Sequence, residues 1–258
     1  MSFEKSHPEK PLTVVMPAYN EEATIKLVLE RVLEQPLVGE VVVVDDCSAD
    51  RTVQIVEGLA AFDERIKLLC HKRNQGKGAA LRTGFQGASL PFVIIQDADL
   101  EYDPSEFNLV VEPLMIGRAD VCYGSRYAMP ERRRVLRFWH TMGNKFLTLL
   151  SNMATDLHLT DMETCYKAFR REVIQSISIE ENRFGFEPEI TAKVAHRQLR
   201  VMEVAVSYYP RSYDEGKHIG WKDGVRAIYC IVKYGVFRGR RLRQEAADLR
   251  AAAAAAEA

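Results

Sequence analysis

One pattern recurs through the first hundred residues of this chain: a short apolar run, a polar cluster, then apolar residues at helical spacing. The runs are Leu12–Met16, Val41–Val44, Ile66–Cys70 and the stretch 92–97. Ile25, Val28, Leu29, Val32 and Leu33 follow the first, and Thr52, Ile55, Val56 and Leu59 the second. Ala79, Ala80, Leu81 and Phe85 follow the third. Continuously apolar strands are those covered on both faces. Strands alternating with helices across short connections build a parallel sheet. The expected fold class is therefore α/β, a mostly parallel central sheet with helices on both faces.

The remainder is read more coarsely. Asp120–Tyr123 predicts a further strand, and 131–157 one or two amphipathic helices opening on Arg132-Arg133-Arg134. A polar helix is expected after Thr164-Cys165-Tyr166-Lys167, and another helix from Phe184 to about Ala195. Val201–Tyr208 alternates like a strand, and Asp223–Phe237 reads as a largely apolar helix. Residues 238–258 begin basic and end in alanines, with no apolar stripe to pack, and are expected to be mobile. No repeat or linker interrupts the chain, so 1–237 reads as one domain with a tail.

Every polar cluster of the first half follows a strand: Tyr19-Asn20-Glu21, Asp45-Asp46, Asn74–Gly78, and Asp97, Asp99 and Glu101. A parallel sheet brings all four to one edge, where such sheets bind ligands. Asn20 is expected to cap the first helix, with Glu21 and Glu22 in its first turn. If strand geometry persists beyond Phe92-Val93-Ile94-Ile95, then Asp97, Asp99 and Glu101 point the same way. Three converging carboxylates suit a hard cation such as Mg²⁺ or Mn²⁺; otherwise the stretch is a solvated acidic turn. Lys77 lies between two glycines, so its ammonium can reach a diphosphate, or it is an ordinary solvated helix start. No G-x-G-x-x-G follows the first strand and no G-x-x-x-x-G-K-[ST] is present. Both absences argue against a dinucleotide dehydrogenase and a P-loop nucleotidase.

A net charge of −1 gives no case for nucleic acid, but residues 208–243 hold nine Lys/Arg against three acids. That local excess suits a phosphate-rich partner or an anionic membrane surface. The five cysteines are scattered without a C-x-x-C pair, as expected of reduced cytoplasmic thiols. No apolar run approaches the roughly 20 residues that span a bilayer.

Pro17-Ala18-Tyr19-Asn20-Glu21-Glu22, Val44-Asp45-Asp46-Cys47-Ser48, Asn74–Lys77, Asp97-Ala98-Asp99-Leu100-Glu101 and Gly124-Ser125-Arg126-Tyr127 occur in this order. Together they resemble the family-2 inverting glycosyltransferases, in particular the dolichyl- or polyprenyl-phosphate mannosyltransferase branch. The resemblance implies a GT-A fold, a nucleotide-sugar donor (GDP-mannose or a UDP-sugar) and a Mn²⁺ or Mg²⁺ cofactor. It implies that Pro17, Tyr19, Glu21 and one of Asp45 and Asp46 hold the nucleotide. Asp97, Asp99 and Glu101 would hold the metal, although the third ligand in that branch is often Gln rather than Glu.

The acceptor decides what else is needed. A sugar hydroxyl needs a carboxylate base, for which Glu187 and Glu189 are candidates. A phosphate monoester is already an anion and needs positioning. By resemblance, Arg126, Arg211 and Lys217 are the cations for donor and acceptor phosphates, with 211–217 as a substrate-closing loop. The Q-x-x-R-W signature of processive synthases is absent. Stretch 131–157 resembles the branch's interfacial helices, and a basic cluster beside Trp139, Phe138 and Leu147 suits a bilayer surface; core packing is the competing reading. The expectation is a cytoplasmic enzyme visiting the membrane peripherally or through an anchored partner. A hydroxyl acceptor and a non-catalytic nucleotide-sugar-binding adaptor are the alternatives.

Overall fold

The early apolar runs at 12–16, 41–44 and 92–95 become strands covered on both faces, whereas the run 66–70 forms an edge strand with Lys67, Leu69 and Cys70 exposed. The computed structural model describes residues 9–128, 135–210, 221–239 and 244. It contains β1 (Leu12–Ala18), β2 (Val38–Asp45), β3 (Ile66–Cys70) and β4 (Phe92–Ile95). Between them run α1 (Ile25–Leu33), α2 (Thr52–Ala60) and α3 (Lys77–Gly87). All four residues of β4 are buried, as are all but one each of β1 and β2. In β2, Val41 and Val43 join the main core while Val42 and Val44 pack with Ala80 of α3. Each such side chain contributes about 1.5–3 kcal/mol by leaving water.

The chain continues through a 3₁₀ turn (Pro104–Glu106) into α4 (Phe107–Met115), β5 (Val121–Ser125) and α5 (Phe138–Thr155). Then come β6 (Lys167–Arg170), α6 (Arg171–Ser176), α7 (Phe186–His196) and β7 (Val201–Ala205). Finally α8 (Trp221–Cys230) runs into a π-helical stretch, Ile231–Phe237. Among the described residues, seven strands form one sheet in the order β3-β2-β1-β4-β6-β5-β7.

β1 pairs in parallel with β2 on one side and β4 on the other. The chain therefore leaves β1 in one direction and returns on its other side. That reversal is the topological switch point at which α/β sheets open a crevice. β6 runs antiparallel to both β4 and β5, with Ile94 opposite Ala168 and Tyr123 opposite Lys167. The segment entering β6 consequently lies at the same edge as the carboxyl ends of β1, β2, β4 and β5.

Several boundaries differ from expectation. The strand at 92 stops at Ile95 rather than 97, and the one at 201 stops at Ala205 rather than 208. Asn20 does not cap α1, which starts at Ile25 after Thr24, and no acid lies in its first turn. β6 carries no strand signal, being four residues with charged ends that burial alone makes extended. Arg132–Arg134, Arg211, Lys217 and most of the tail lie outside the described residues.

Candidate active site

The ends of β1 and β2 are laced together across the crevice. Asn20 N–H donates to Ser48 Oγ (2.9 Å), Ala49 N–H to Asn20 Oδ1 (2.8 Å), and Glu21 N–H to Thr52 Oγ1 (2.9 Å). The Asn20 side chain is thus used on the neighbouring loop, which is why it cannot serve as a helix cap. Asn20 (φ 54°), Cys47 (φ 67°) and Leu100 (φ 60°) are all left-handed, one after each of β1, β2 and β4. Such conformations cost a non-glycine residue about 1–2 kcal/mol and concentrate in ligand-binding loops. Pro17 lies in β1 opposite Val44, and Tyr19 is exposed beside it.

Asp45 and Asp46 are both buried but have different duties. Asp46 accepts hydrogen bonds from Gln75 N–H (2.9 Å) and Gly76 N–H (2.6 Å), and lies 2.6 Å from His71 Nδ1. It therefore clamps the glycine turn and has its acceptors occupied. Among the described residues, Asp45 accepts only Ser48 N–H (3.0 Å) through Oδ2, and its buried Oδ1 has no hydrogen-bond partner. Asp45 is the one with an acceptor left for a ligand.

The clamped turn aims Lys77. Gly76 has φ 100°, and a Cβ there would come within 2.5 Å of Asn182 O, so only glycine fits. Lys77 Nζ lies 2.7 Å from Asp97 Oδ2 and 3.9 Å from Glu187 Oε1. Burial opposes its charge, but Asp97 and then Glu187 outweigh burial and raise its pKa well above the ordinary value. The ammonium is therefore held in its charged form and mostly buried, not a solvated helix start.

The acids after β4 do not point together by strand alternation, because the strand ends at Ile95 and 98–102 form turns and bends. Asp97 pairs with Lys77, Asp99 Oδ1 accepts Glu101 N–H (3.1 Å), and Glu101 Oε2 accepts Tyr208 O–H (2.7 Å). Among the described residues, no group of three or more His, Cys, Asp or Glu side chains is disposed to hold a metal ion. The donor set still fits one in its chemistry. A small hard cation bound with a nucleotide takes only one or two carboxylates, the phosphates supplying other oxygens.

Arg126, at the end of β5, is paired bidentately with the fully buried Asp161, Nε and Nη2 donating at 2.6 and 2.8 Å. Burial opposes its charge and Asp161 more than restores it. The candidate base Glu189 is also spoken for, accepting Glu180 and Glu181 N–H (both 2.8 Å) and pairing with Lys193 (2.5 Å). Glu187 is different: its carboxylate is buried and, among the described residues, its Oε2 has no hydrogen-bond partner.

Sequence reasoning misses Glu163 and Lys167. Glu163 is half-buried with Oε1 sealed and unpartnered. Burial, then Glu187, pushes its carboxyl up to about 8. Lys167 is fully buried and donates to Met162 O (3.0 Å) and Thr164 O, the carbonyls on either side of Glu163. The run Asp161-Met162-Glu163-Thr164-Cys165-Tyr166-Lys167 was the available signal. Without the antiparallel β6, nothing placed it at the edge.

One wall of the site is the inner face of α5. Asn144 Nδ2 donates to Tyr127 Oη (3.1 Å), and Thr148 Oγ1 accepts Met162 N–H (3.1 Å). The outer face carries Phe138, Trp139, Met142, Phe146, Leu149 and Met153, all exposed, Trp139 at 83%. A second exposed stripe, Val225, Tyr229, Val232 and Val236, runs along α8 and its π-helical continuation. That continuation packs on α5, where a Cβ on Gly235 would meet Ala154 Cβ at 2.7 Å.

A mixed seven-stranded sheet with a topological switch point, edged with acids and one aimed lysine, is the architecture of a GT-A glycosyltransferase. The chain belongs to glycosyl transferase family 2, whose family model matches residues 13–178. It is 31% identical to the undecaprenyl-phosphate 4-deoxy-4-formamido-L-arabinose transferase of Aeromonas hydrophila subsp. hydrophila, over 86% of this chain and 67% of that protein. It is 28% identical to the polyprenol monophosphomannose synthase of Mycolicibacterium smegmatis, over 90% of this chain and 89% of that one. Among solved structures it resembles glucosyl-3-phosphoglycerate synthase from Mycobacterium tuberculosis, in complex with Mn²⁺, UDP-glucose and phosphoglyceric acid. The TM-score is 0.67 at 20% identity, covering 88% of this chain and 80% of that one, a likeness of fold.

Proposed function

We propose that this glycosyltransferase moves one sugar, with mannose favoured, from a nucleotide sugar to a polyprenyl phosphate, inverting the anomeric carbon. The exposed apolar stripe on α5 carries this reading. A core helix hides its apolar face, whereas α5 hides Thr148 and Ser151 and displays aromatic residues beside the site. Such a face suits peripheral contact with a membrane holding a lipid acceptor. Among the described residues, no helix is long and apolar enough to cross one. The named activities of the two relatives above, each on a polyprenyl-type lipid phosphate or alcohol, support the same class.

In this reading, Asp45 Oδ1 accepts from the base or ribose, with Pro17, Tyr19 and Glu21 lining that end. Lys77 meets the diphosphate as it takes up charge, already oriented by Asp97 and desolvated, which strengthens its field. Asp97 and Asp99, with Glu101 beside them, would hold a divalent cation, which when bound neutralises the departing nucleoside diphosphate. The acceptor phosphate attacks as an anion and asks no proton of the protein. Arg126 is held by Asp161 at the far side of the pocket, and Arg126, Arg211 and Lys217 remain the proposed cations for the donor and acceptor phosphates.

The test is a donor panel. Purified protein with Mn²⁺ receives labelled GDP-mannose, UDP-glucose or UDP-N-acetylglucosamine, with and without a polyprenyl phosphate, and label is counted in the organic phase. Lipid-dependent label, abolished in Asp99→Ala, is expected. Transfer to a water-soluble hydroxyl acceptor with no lipid requirement would reject the reading.

A further inference from the structure

Three buried side-chain oxygens among the described residues lack a hydrogen-bond partner: Asp45 Oδ1, Glu163 Oε1 and Glu187 Oε2. Natural proteins bury very few such atoms, and each costs stability unless a ligand completes it. Asp45 has a place in the nucleotide reading above. Glu163 and Glu187 have none.

Glu187 lies beside Lys77, and Glu163 is near enough to Glu187 to feel its charge. Lys77 bridges Asp97 and Glu187, so Glu187 is one ammonium away from the diphosphate edge. Glu163 is held by a costly device: a fully buried lysine whose ammonium binds the carbonyls immediately before and after it. Thr164 Oγ1 donates to Gly124 O (2.5 Å), and Cys165 N–H donates to Tyr102 Oη (3.1 Å). The loop is therefore rigid on both sides of the glutamate, as a preorganised binding group requires.

The charge of the ligand limits what these carboxylates can meet. The donor diphosphate and the acceptor phosphate are anions, which carboxylates repel. The neutral, hydroxyl-rich part of the reaction is the sugar between them. Resting on the glycosyltransferase reading, we propose that Glu163 and Glu187 form the sugar-recognition subsite, accepting hydrogen bonds from hydroxyl groups of the donor's hexose. They would thereby determine which sugar is accepted, and neither acts as a base.

The proposal is tested without any acceptor. Binding of GDP, UDP, GDP-mannose, UDP-glucose and UDP-N-acetylglucosamine with Mn²⁺ is measured calorimetrically for wild type, Glu163→Gln and Glu187→Gln. Each substitution keeps the shape and replaces one acceptor oxygen by an amide donor, so a hydrogen bond from a sugar hydroxyl is lost. Nucleoside diphosphate affinity should be unchanged in Glu163→Gln and no weaker in Glu187→Gln, where a carboxylate beside Lys77 is neutralised, while the ratio of nucleotide-sugar to nucleoside-diphosphate Kd rises about tenfold in both. Glu163→Gln should also melt at or above the wild-type temperature, since a buried, unpartnered acid is replaced by a neutral side chain of the same shape. An unchanged ratio in both variants overturns the proposal, as does equal loss of both ligands. Normal nucleotide-sugar binding with turnover abolished would make the pair bases and also overturns it. A wild type that binds none of the three donors overturns it together with the donor-site reading. Failure of lipid transfer alone strikes only the acceptor assignment.

Discussion

Lys77 Nζ and Asp97 Oδ2 lie 2.7 Å apart, joining the glycine turn after β3 to the acid turn after β4. Removing the ammonium leaves Asp97 and Glu187 facing a diphosphate with nothing to offset them. Lys77→Met should lower kcat/KM on the order of 10²-fold, the scale of losing one oriented charge-stabilising group, with Lys77→Arg recovering part. A change smaller than about threefold in steady-state kinetics would reduce Lys77 to a structural ion pair.

Asp46 is predicted to act through the turn it clamps and not by touching the nucleotide. Asp46→Ala strands His71 Nδ1 and the Gln75 and Gly76 amides, and should cost about 3 kcal/mol in urea unfolding. Asp45→Asn should leave the urea midpoint close to wild type and weaken nucleotide binding. Equal stability losses in the two variants would remove the distinction between them.

The stability of the protein should fall between about pH 5 and 8 on account of Glu163. Burial, then Glu187, raises its carboxyl to about 8 from an ordinary 4.5, with Lys167 and Arg126 opposing and Asp161 reinforcing. The folded state holds a proton that the unfolded chain releases, so this contribution is complete below 4.5 and is lost as pH rises through 8. Thermal melts of wild type and Glu163→Gln should therefore diverge with rising pH, the variant becoming relatively more stable. Parallel profiles would show that Glu163 titrates normally.

Glu181 should do the reverse at acid pH. Burial alone would raise it, but hydrogen bonds from Arg226, Lys233 and Tyr234 outweigh that and hold its carboxyl at about 2. Its contribution is present above the ordinary 4.5 and is lost as pH falls through about 2. The urea-midpoint gap between wild type and Glu181→Gln should shrink steadily over that range; a gap independent of pH would deny the ion pairs any part in it.

Phe138, Trp139 and Phe146 are exposed, so replacing each by Ser should change folding stability by no more than about 0.5 kcal/mol. Together the three changes should abolish co-sedimentation with anionic vesicles. Turnover of a short, water-soluble prenyl phosphate should survive. Retained vesicle binding would assign the α5 stripe to some other contact.

What was legible in the sequence was local. The period of the apolar runs, the glycines around Lys77 and the acids closing each strand are properties of neighbouring residues, and they placed β1 to β4 and the polar carboxyl edge of the sheet. The motif order reached the family. Local periodicity could not carry the acids of 97–101 past the end of β4, because a strand lasts only as long as it has a partner to bond.

Tertiary structure alone decided the rest. The split of duties between Asp45 and Asp46 depends on which of the two meets the turn some thirty residues later. Whether α5 hides or displays its aromatics depends on which face finds a neighbour. Glu163 reaches the site only because β6 reverses direction between β4 and β5, a pairing settled by long-range burial and hydrogen bonding that four residues cannot announce.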